Sequence, residues 1–281
     1  MPETTPEAVA HRVALIGTGV MGGAILAGLS TPPSSREIVV VDSVAGRAAD
    51  VAARFGVRHA GTVAEAAEGA DVVLLAVKPK DVAGVLTQLS TLGPQTLVVS
   101  VAAGVSTRFC ERLLPPGVPV VRVMPNTPAT VGQGMSAISP GTHAQAGHLA
   151  MVEQLLAPTG LVVRVAEKDQ DAVTAISGSG PAYVFYVIDA LAEAGVLMGL
   201  TRDLATTLAT QTVLGAAVLA RESGDHPAVL RERVSSPGGT TVAAVHRLDV
   251  AGVRAAFVDA ADAARRRSLE LARELEESGG A

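Results

Sequence analysis

The chain contains no tryptophan, and its aromatics amount to 2% of 281 residues, four Phe and two Tyr. Stacking platforms for nucleic-acid bases or sugars are therefore not expected. Net charge is −5, so no basic surface is set out for nucleic acid, and none is expected as a partner. One cysteine, Cys110, excludes an intrachain disulfide and a thiolate metal cluster, and is expected to be buried as a small hydrophobe. The histidines are scattered, with no metal-ligand spacing, and no metal is expected. Lysines are scarce: Lys78, Lys80 and Lys168. No apolar run reaches the roughly 18 residues of a membrane span, and Met1–Ala10 is polar and acidic, unlike a secretory signal. A soluble cytoplasmic protein with no membrane partner is the expectation.

What is present is apolar: 48% of residues, mostly Ala, Val and Leu, enough for a sizeable core. At about 150 residues per domain, the length suggests two domains. Short Val/Leu/Ile-rich runs at Arg12–Ile16, Glu37–Val41, Asp71–Val77, Thr96–Val101 and Val118–Val123 read as strands buried on both faces. Helical patterns at Val20–Leu29, Gly46–Phe55 and Pro79–Ser90 alternate with them. Gln133–Ile138 and Leu161–Val165 read as two further strands, with a helix over Thr142–Leu156 between. Strand–helix alternation implies an α/β, doubly wound, Rossmann-type sheet.

After Val165 the texture is helical, with no strand from Asp169 to Glu277. The division expected is a dinucleotide-binding domain over 1–166 and an all-helical dimerisation and substrate-binding domain over 167–281. Pro181–Leu200 and Thr201–Glu222 are long and apolar on most faces, with Thr201 as an N-cap and Asp203 in the first turn. Such helices require burial, and so small a domain cannot supply it alone; a partner subunit is expected to cover them. The charged tail from Arg265 is expected to fray.

Gly17-Thr18-Gly19-Val20-Met21-Gly22 follows the first strand and opens the first helix. The first glycine permits the tight turn, the second the approach of a pyrophosphate, the third close packing of helix on strand. The helix N-terminus then offers free N–H groups to the phosphates. Asp42 ends the next strand, where an acid can accept from a ribose 2′-OH and repel a 2′-phosphate, while Ser43 and Arg47 nearby can bind that phosphate. NADH and NADPH both stay open. Ala76-Val77-Lys78-Pro79 and Ala102-Ala103-Gly104-Val105 end two more strands at the same crevice, where small residues let a nicotinamide lie on the backbone.

Ser177-Gly178-Ser179-Gly180-Pro181-Ala182-Tyr183 reads as a hydroxyl-rich turn with Pro at the start of a helix. Ser235-Ser236-Pro237-Gly238-Gly239-Thr240-Thr241 leads into another helix, Val242–Leu248. The second turn, rich in N–H and hydroxyl groups and free of basic residues, suits a carboxylate; the alternative is two ordinary helix starts. Reduction of a ketone calls for a Lys, His or Tyr to handle the alkoxide proton. An imine is protonated near neutral pH and needs positioning more than a strong base. A β-hydroxyacid dehydrogenase would carry a lysine on the long helix, and 181–222 has none.

Taken together, these segments and Arg122-Val123-Met124-Pro125-Asn126-Thr127-Pro128 resemble the pyrroline-5-carboxylate reductase family over essentially the whole chain. The resemblance implies NADPH- or NADH-dependent reduction of 1-pyrroline-5-carboxylate to L-proline by a homodimer that can assemble into a decamer. It implies cofactor contacts at Gly17–Gly22, Ala76–Pro79, Ala102 and Ala103, which join Asp42 and Ser43 as read above from their place after the second strand, and a substrate-carboxylate turn at Ser236 and Gly238, Gly239, Thr240 and Thr241. It also assigns Thr241 as hydroxyl partner of the ring nitrogen and Glu167 as a contact of the product amine. Asp42, Val63 and Arg233 depart from residues common in the family. A reductase of another cyclic imine acid and a non-catalytic nucleotide sensor are the remaining alternatives.

Overall fold

A computed structural model of the chain describes residues 12–30 and 36–278; the polar start Met1–Ala10 and the last residues of the tail, 279–281, lie outside the described residues. Among the described residues, eight strands form one sheet: β1 Arg12–Ile16, β2 Glu37–Val41, β3 Arg58–His59, β4 Val72–Leu75, β5 Leu97–Ser100, β6 Val120–Met124, β7 Gly134–Pro140 and β8 Gly160–Arg164. Their order is β3-β2-β1-β4-β5-β6-β7-β8. The first six run parallel in the order of a doubly wound dinucleotide-binding sheet, with the order reversing between β1 and β4. Helices α1 Val20–Leu29, α2 Arg47–Phe55, α3 Val63–Ala67, α4 Val82–Leu86, α5 Thr107–Leu113 and α6 Ala146–Leu156 accompany them.

The apolar strands behave as a two-sided core demands. Ala14 and Ile16 join one buried cluster with Val73, Leu75, Val82, Leu86 and Phe109. Val13 and Leu15, pointing the other way, join a second with Ile25, Leu26, Leu74 and Leu155. Register pairs Ile16 with Val41 on one side and with Leu75 on the other, so the ends of β1, β2 and β4 lie level. Cys110 is buried, and burial, followed by the charges of Glu167 and Glu111, pushes its thiol up to about 12. It is an inert core thiol at neutral pH.

Several expectations need correction. Strand β3 has two residues, Arg58 and His59, both exposed, and no apolar pattern announces it. Strand β7 runs antiparallel to β6, a direction that apolarity alone does not encode. The helix expected over 79–90 is a short α4 between two 3₁₀ turns, and α6 begins at Ala146 rather than Thr142. Ser177 does not lie in a turn: Thr174–Gly178 is a π-helical stretch that continues from α7, Gln170–Val173.

Beyond it come α8 Gly180–Leu197, α9 Arg202–Ser223, α10 Pro227–Arg233, α11 Thr240–Val250 and α12 Val253–Ser278, with no strand among the described residues. The Thr201 hydroxyl accepts from the Leu204 amide and so caps α9, as its sequence implied. By length and composition, 167–197 and 202–223 do reach the threshold of a membrane span, against the expectation. An uninterrupted apolar run is a stricter criterion than a helix carrying one or two charges, such as Asp189 and Glu193 in α8. The charged tail does not fray over 265–278, where it continues α12. Arg267 pairs with Glu270 and Glu274 on that helix, and the Ser268 hydroxyl donates to Asp171 at 2.7 Å.

The chain divides into two compact units. Unit 1 comprises the residues up to Gly178 together with those from Ala264 on, and unit 2 is Ser179–Ala263. In unit 1, Leu275 of α12 packs against the cluster around Phe109, and the backbone of Ala272 lies close to Gly104. In unit 2, α8 lies against α9 around Ala192, Ala205 and Ala209, the buried apolar residues of that unit.

Candidate functional site

The glycine-rich turn is fixed by the strands on either side of it. The Gly17 amide donates to Val41 O and the Ala76 amide to Ile16 O, each at 2.8 Å, tying β1, β2 and β4 at their carboxyl ends. Gly17 has φ +95°, and a Cβ there would stand 2.6 Å from Ala76 O. A Cβ on Gly22 would stand 2.0 Å from Gly17 O, so helix and turn meet backbone to backbone. α1 starts at Val20 with Gly19 as an N-cap that supplies no side-chain acceptor and no acid in the first turn. Its leading N–H groups are left to an anion.

A cavity of about 800 Å³ opens at this point. It is lined by the predicted residues Gly17, Gly19, Asp42, Ser43, Ala76, Val77 and Lys78. Thr18, Val20, Met21, Gly22 and Pro79 adjoin it in sequence without lining it; Ala102 is buried and Ala103 exposed after β5. Thr62, Lys80 and Gln88 also line the cavity and carry no sequence signal; they follow short, irregular elements around β3 and α4 that the apolar pattern did not resolve. A second hollow, about 630 Å³ around Glu68, Asp71 and Gln95, lies by the amino ends of β4 and β5 and holds none of the predicted residues.

Asp42 is not open to this cavity in the way its position suggests. Its Oδ2 accepts from the Thr18 amide and the Thr18 hydroxyl, both at 2.8 Å. Its Oδ1 accepts from the Val44 amide at 2.9 Å and stands 3.5 Å from Arg47 Nη1. Burial raises the carboxyl pKa, but the amide bonds from Val44 and Thr18, the Thr18 hydroxyl and the Arg47 charge outweigh it, and the net direction is down.

Glu167 is held in the same unit. Thr107 donates to it through its amide at 2.7 Å and through its hydroxyl at 2.6 Å, at the start of α5, and Arg122 Nη1 lies 3.5 Å away. The carboxylate thereby caps a helix N-terminus and faces an almost fully buried guanidinium.

The second predicted constellation lies in unit 2. The Gly239 amide donates to Ser236 O at 2.9 Å, closing a turn with Pro237 at its second position and Gly238, φ +71°, at its third, the arrangement of a type II turn. Helix α11 begins at Thr240, with Gly239 as an N-cap that offers no side-chain acceptor. The first helical N–H groups, those of Thr240, Thr241 and Val242, point out of the helix start with no intrahelical acceptor. Ser236, Gly238 and Thr240 are exposed, while Gly239 and Thr241 are half-buried. Arg233, three residues earlier, pairs with Asp225. The turn can hold a small anion by main-chain amides, with hydroxyls beside them and no competing cation in the turn itself.

Comparison with known proteins finds matches in both parts of the chain. Residues 167–271 match the family model for pyrroline-5-carboxylate reductase dimerisation, and residues 12–104 match that for NADP oxidoreductase, coenzyme F420-dependent. The pyrroline-5-carboxylate reductase of Corynebacterium melassecola is 46% identical over 92% of this chain and 98% of its own length. That of Arabidopsis thaliana is 43% identical over 94% and 96%. Among solved structures, the pyrroline-5-carboxylate reductase of Coxiella burnetii superposes with a TM-score of 0.87 at 35% identity, over 93% of this chain and 98% of that one. The Plasmodium falciparum pyrroline carboxylate reductase, solved with NADP bound, does so at 0.82 and 27%, over the same shares. On this likeness along nearly its whole length, the chain belongs to the pyrroline-5-carboxylate reductase family.

Proposed function

We propose that the chain reduces 1-pyrroline-5-carboxylate to L-proline with NADPH or NADH. The observation that carries the reading is the turn Ser236–Thr241, an uncapped helix start without a basic side chain, in a chain that also holds an intact dinucleotide turn. The glycine contacts around Gly17 and Gly22 fit such a cofactor, since they leave its pyrophosphate the surface a side chain would fill.

When bound, the nicotinamide supplies a hydride for the C=N carbon. The protein's own residues then have three tasks. The N–H groups of Gly19 to Met21 and the dipole of α1 hold the pyrophosphate. The residues after β4 and β5, Ala76–Pro79 and Ala102–Ala103, offer small side chains and backbone to the nicotinamide and its ribose. The amides of Thr240 and Thr241, with the Ser236 hydroxyl, anchor the substrate carboxylate, and the Thr241 hydroxyl pairs with the ring nitrogen. Because the iminium nitrogen already carries its proton, hydride addition completes the amine without a strong base, consistent with three lysines in the chain and none on α8 or α9.

The apolar faces of α8 and α9 are read as the surface of a homodimer, with the decamer as a larger assembly and the cytoplasm as its setting. Purified protein is expected to oxidise NADPH or NADH only when pyrroline-5-carboxylate is present; no oxidation with either cofactor overturns the assignment.

A further inference from the structure

The loop after β5 carries Ala102 and Ala103, the small residues read as the nicotinamide's backing. It leaves the sheet at Ser100, which stands in register with Arg122 of β6. It ends at Thr107, the first residue of α5. Glu167, in the 3₁₀ turn after β8, meets Arg122 at one end of this loop and Thr107 at the other. Its Oε1 accepts from the Thr107 amide at 2.7 Å and its Oε2 from the Thr107 hydroxyl at 2.6 Å. Arg122 Nη1 stands 3.5 Å from Oε1, and Glu167 is the acid this almost fully buried guanidinium pairs with among the described residues. Hydrogen bonds to a charged acceptor are the strong ones, and two of them fall on a single buried threonine. The bonds inside the loop are weaker. The Ala102 amide to Ser100 Oγ and the Val105 amide to Ala102 O both measure 3.4 Å, and Gly104, at φ +74°, adds backbone freedom.

Resting on the reading of this loop as the nicotinamide's backing, we propose that Glu167 is a positioning residue for the cofactor. Braced by Arg122, it clamps the end of the β5–α5 loop and so fixes where Ala102 and Ala103 meet the nicotinamide. Both its oxygens are committed to Thr107 rather than to the amine of the product.

Titration of the full chain with NADPH and with NADH, followed by cofactor fluorescence without substrate, reads the clamp; steady-state kinetics at saturating cofactor read the substrate. Glu167→Gln is expected to weaken both cofactors at least about fivefold, while the KM for pyrroline-5-carboxylate stays within about twofold. Amide exchange over 101–107 should quicken in that variant with β5 still protected. Thr107→Val is expected to weaken both cofactors about threefold or more, and Thr107→Ser, which keeps the hydroxyl, to bind them as the parent does. A raised KM for pyrroline-5-carboxylate with unchanged cofactor affinity in Glu167→Gln would make Glu167 a substrate contact and overturn the proposal. So would exchange over the loop as slow as in the parent. Parent-like cofactor binding in Thr107→Val would overturn it as well, and that variant leaves Arg122 paired, so the test stands even if Glu167→Gln does not fold. Failure of the parent chain to bind either cofactor would instead overturn the dinucleotide reading beneath it.

Discussion

Val13, Leu15, Val72, Leu74 and Val98 of unit 1 have no exposed surface at all, while the buried apolar residues of unit 2 are three alanines, Ala192, Ala205 and Ala209. On α8 and α9, Phe185, Tyr186, Leu208, Leu214 and Leu219 stand half or more exposed. Unit 1 builds its own core on two faces of a sheet, and its stability belongs to the single chain. Unit 2 has long helices and little inside them, so its stability must come from surface covered in an assembly. The difference assigns distinct physical origins to two parts of one polypeptide, and substitutions can separate them.

The largest effect is expected from charging the uncovered helices. Leu208→Glu combined with Leu214→Glu should convert the oligomer to monomer in light scattering. Hydrogen-exchange protection should fall across 179–263 and persist in the sheet; a compact, fully protected monomer would break the contrast. Next, Leu74→Ala, at a site of zero exposure, should cost about 2–5 kcal/mol in denaturant unfolding, independent of protein concentration. A concentration-dependent loss there would show that unit 1 also leans on a partner.

Thr241→Ala should lower turnover roughly 10- to 100-fold through loss of one hydrogen bond to a charged group, while the melting temperature stays within about 2 °C. Unchanged kinetics would remove the hydroxyl from the chemistry. The smallest effect concerns pH. Asp42 has its folded pKa lowered, so its contribution is fully present above its unfolded value near 4 and is lost as pH falls through the folded value. Asp42→Asn should therefore flatten the decline of melting temperature below about pH 4 in unit 1 and leave unit 2 untouched. An identical acid profile in parent and variant would sink that assignment.

Much of this architecture is written in local pattern. β1, α1 and β2 keep the bounds that their apolar runs and the glycine motif mark out, because there the chain's own periodicity and backbone requirements decide the structure. Strand β3 escaped because Arg58 and His59 pair with β2 without burying anything. The direction of β7 escaped because a buried strand looks alike whichever way it runs. At the candidate site, residue identities were legible and orientation was not: no pattern tells that Asp42 turns toward Thr18, or that Glu167 meets Thr107, sixty positions away. Such contacts are set by tertiary closure, which a linear reading does not contain.

One consequence lies in the order of synthesis. Leu275, Ser268 and Glu276 complete unit 1, with Glu276 accepting from Ser106, yet they follow the whole of unit 2 along the chain. While a ribosome is still making α9, the sheet can assemble but the flank near Gly104 and Phe109 stays bare. The nascent protein therefore carries an unfinished hydrophobic seam until α12 emerges, and that interval is when a chaperone or an errant neighbour has its opening.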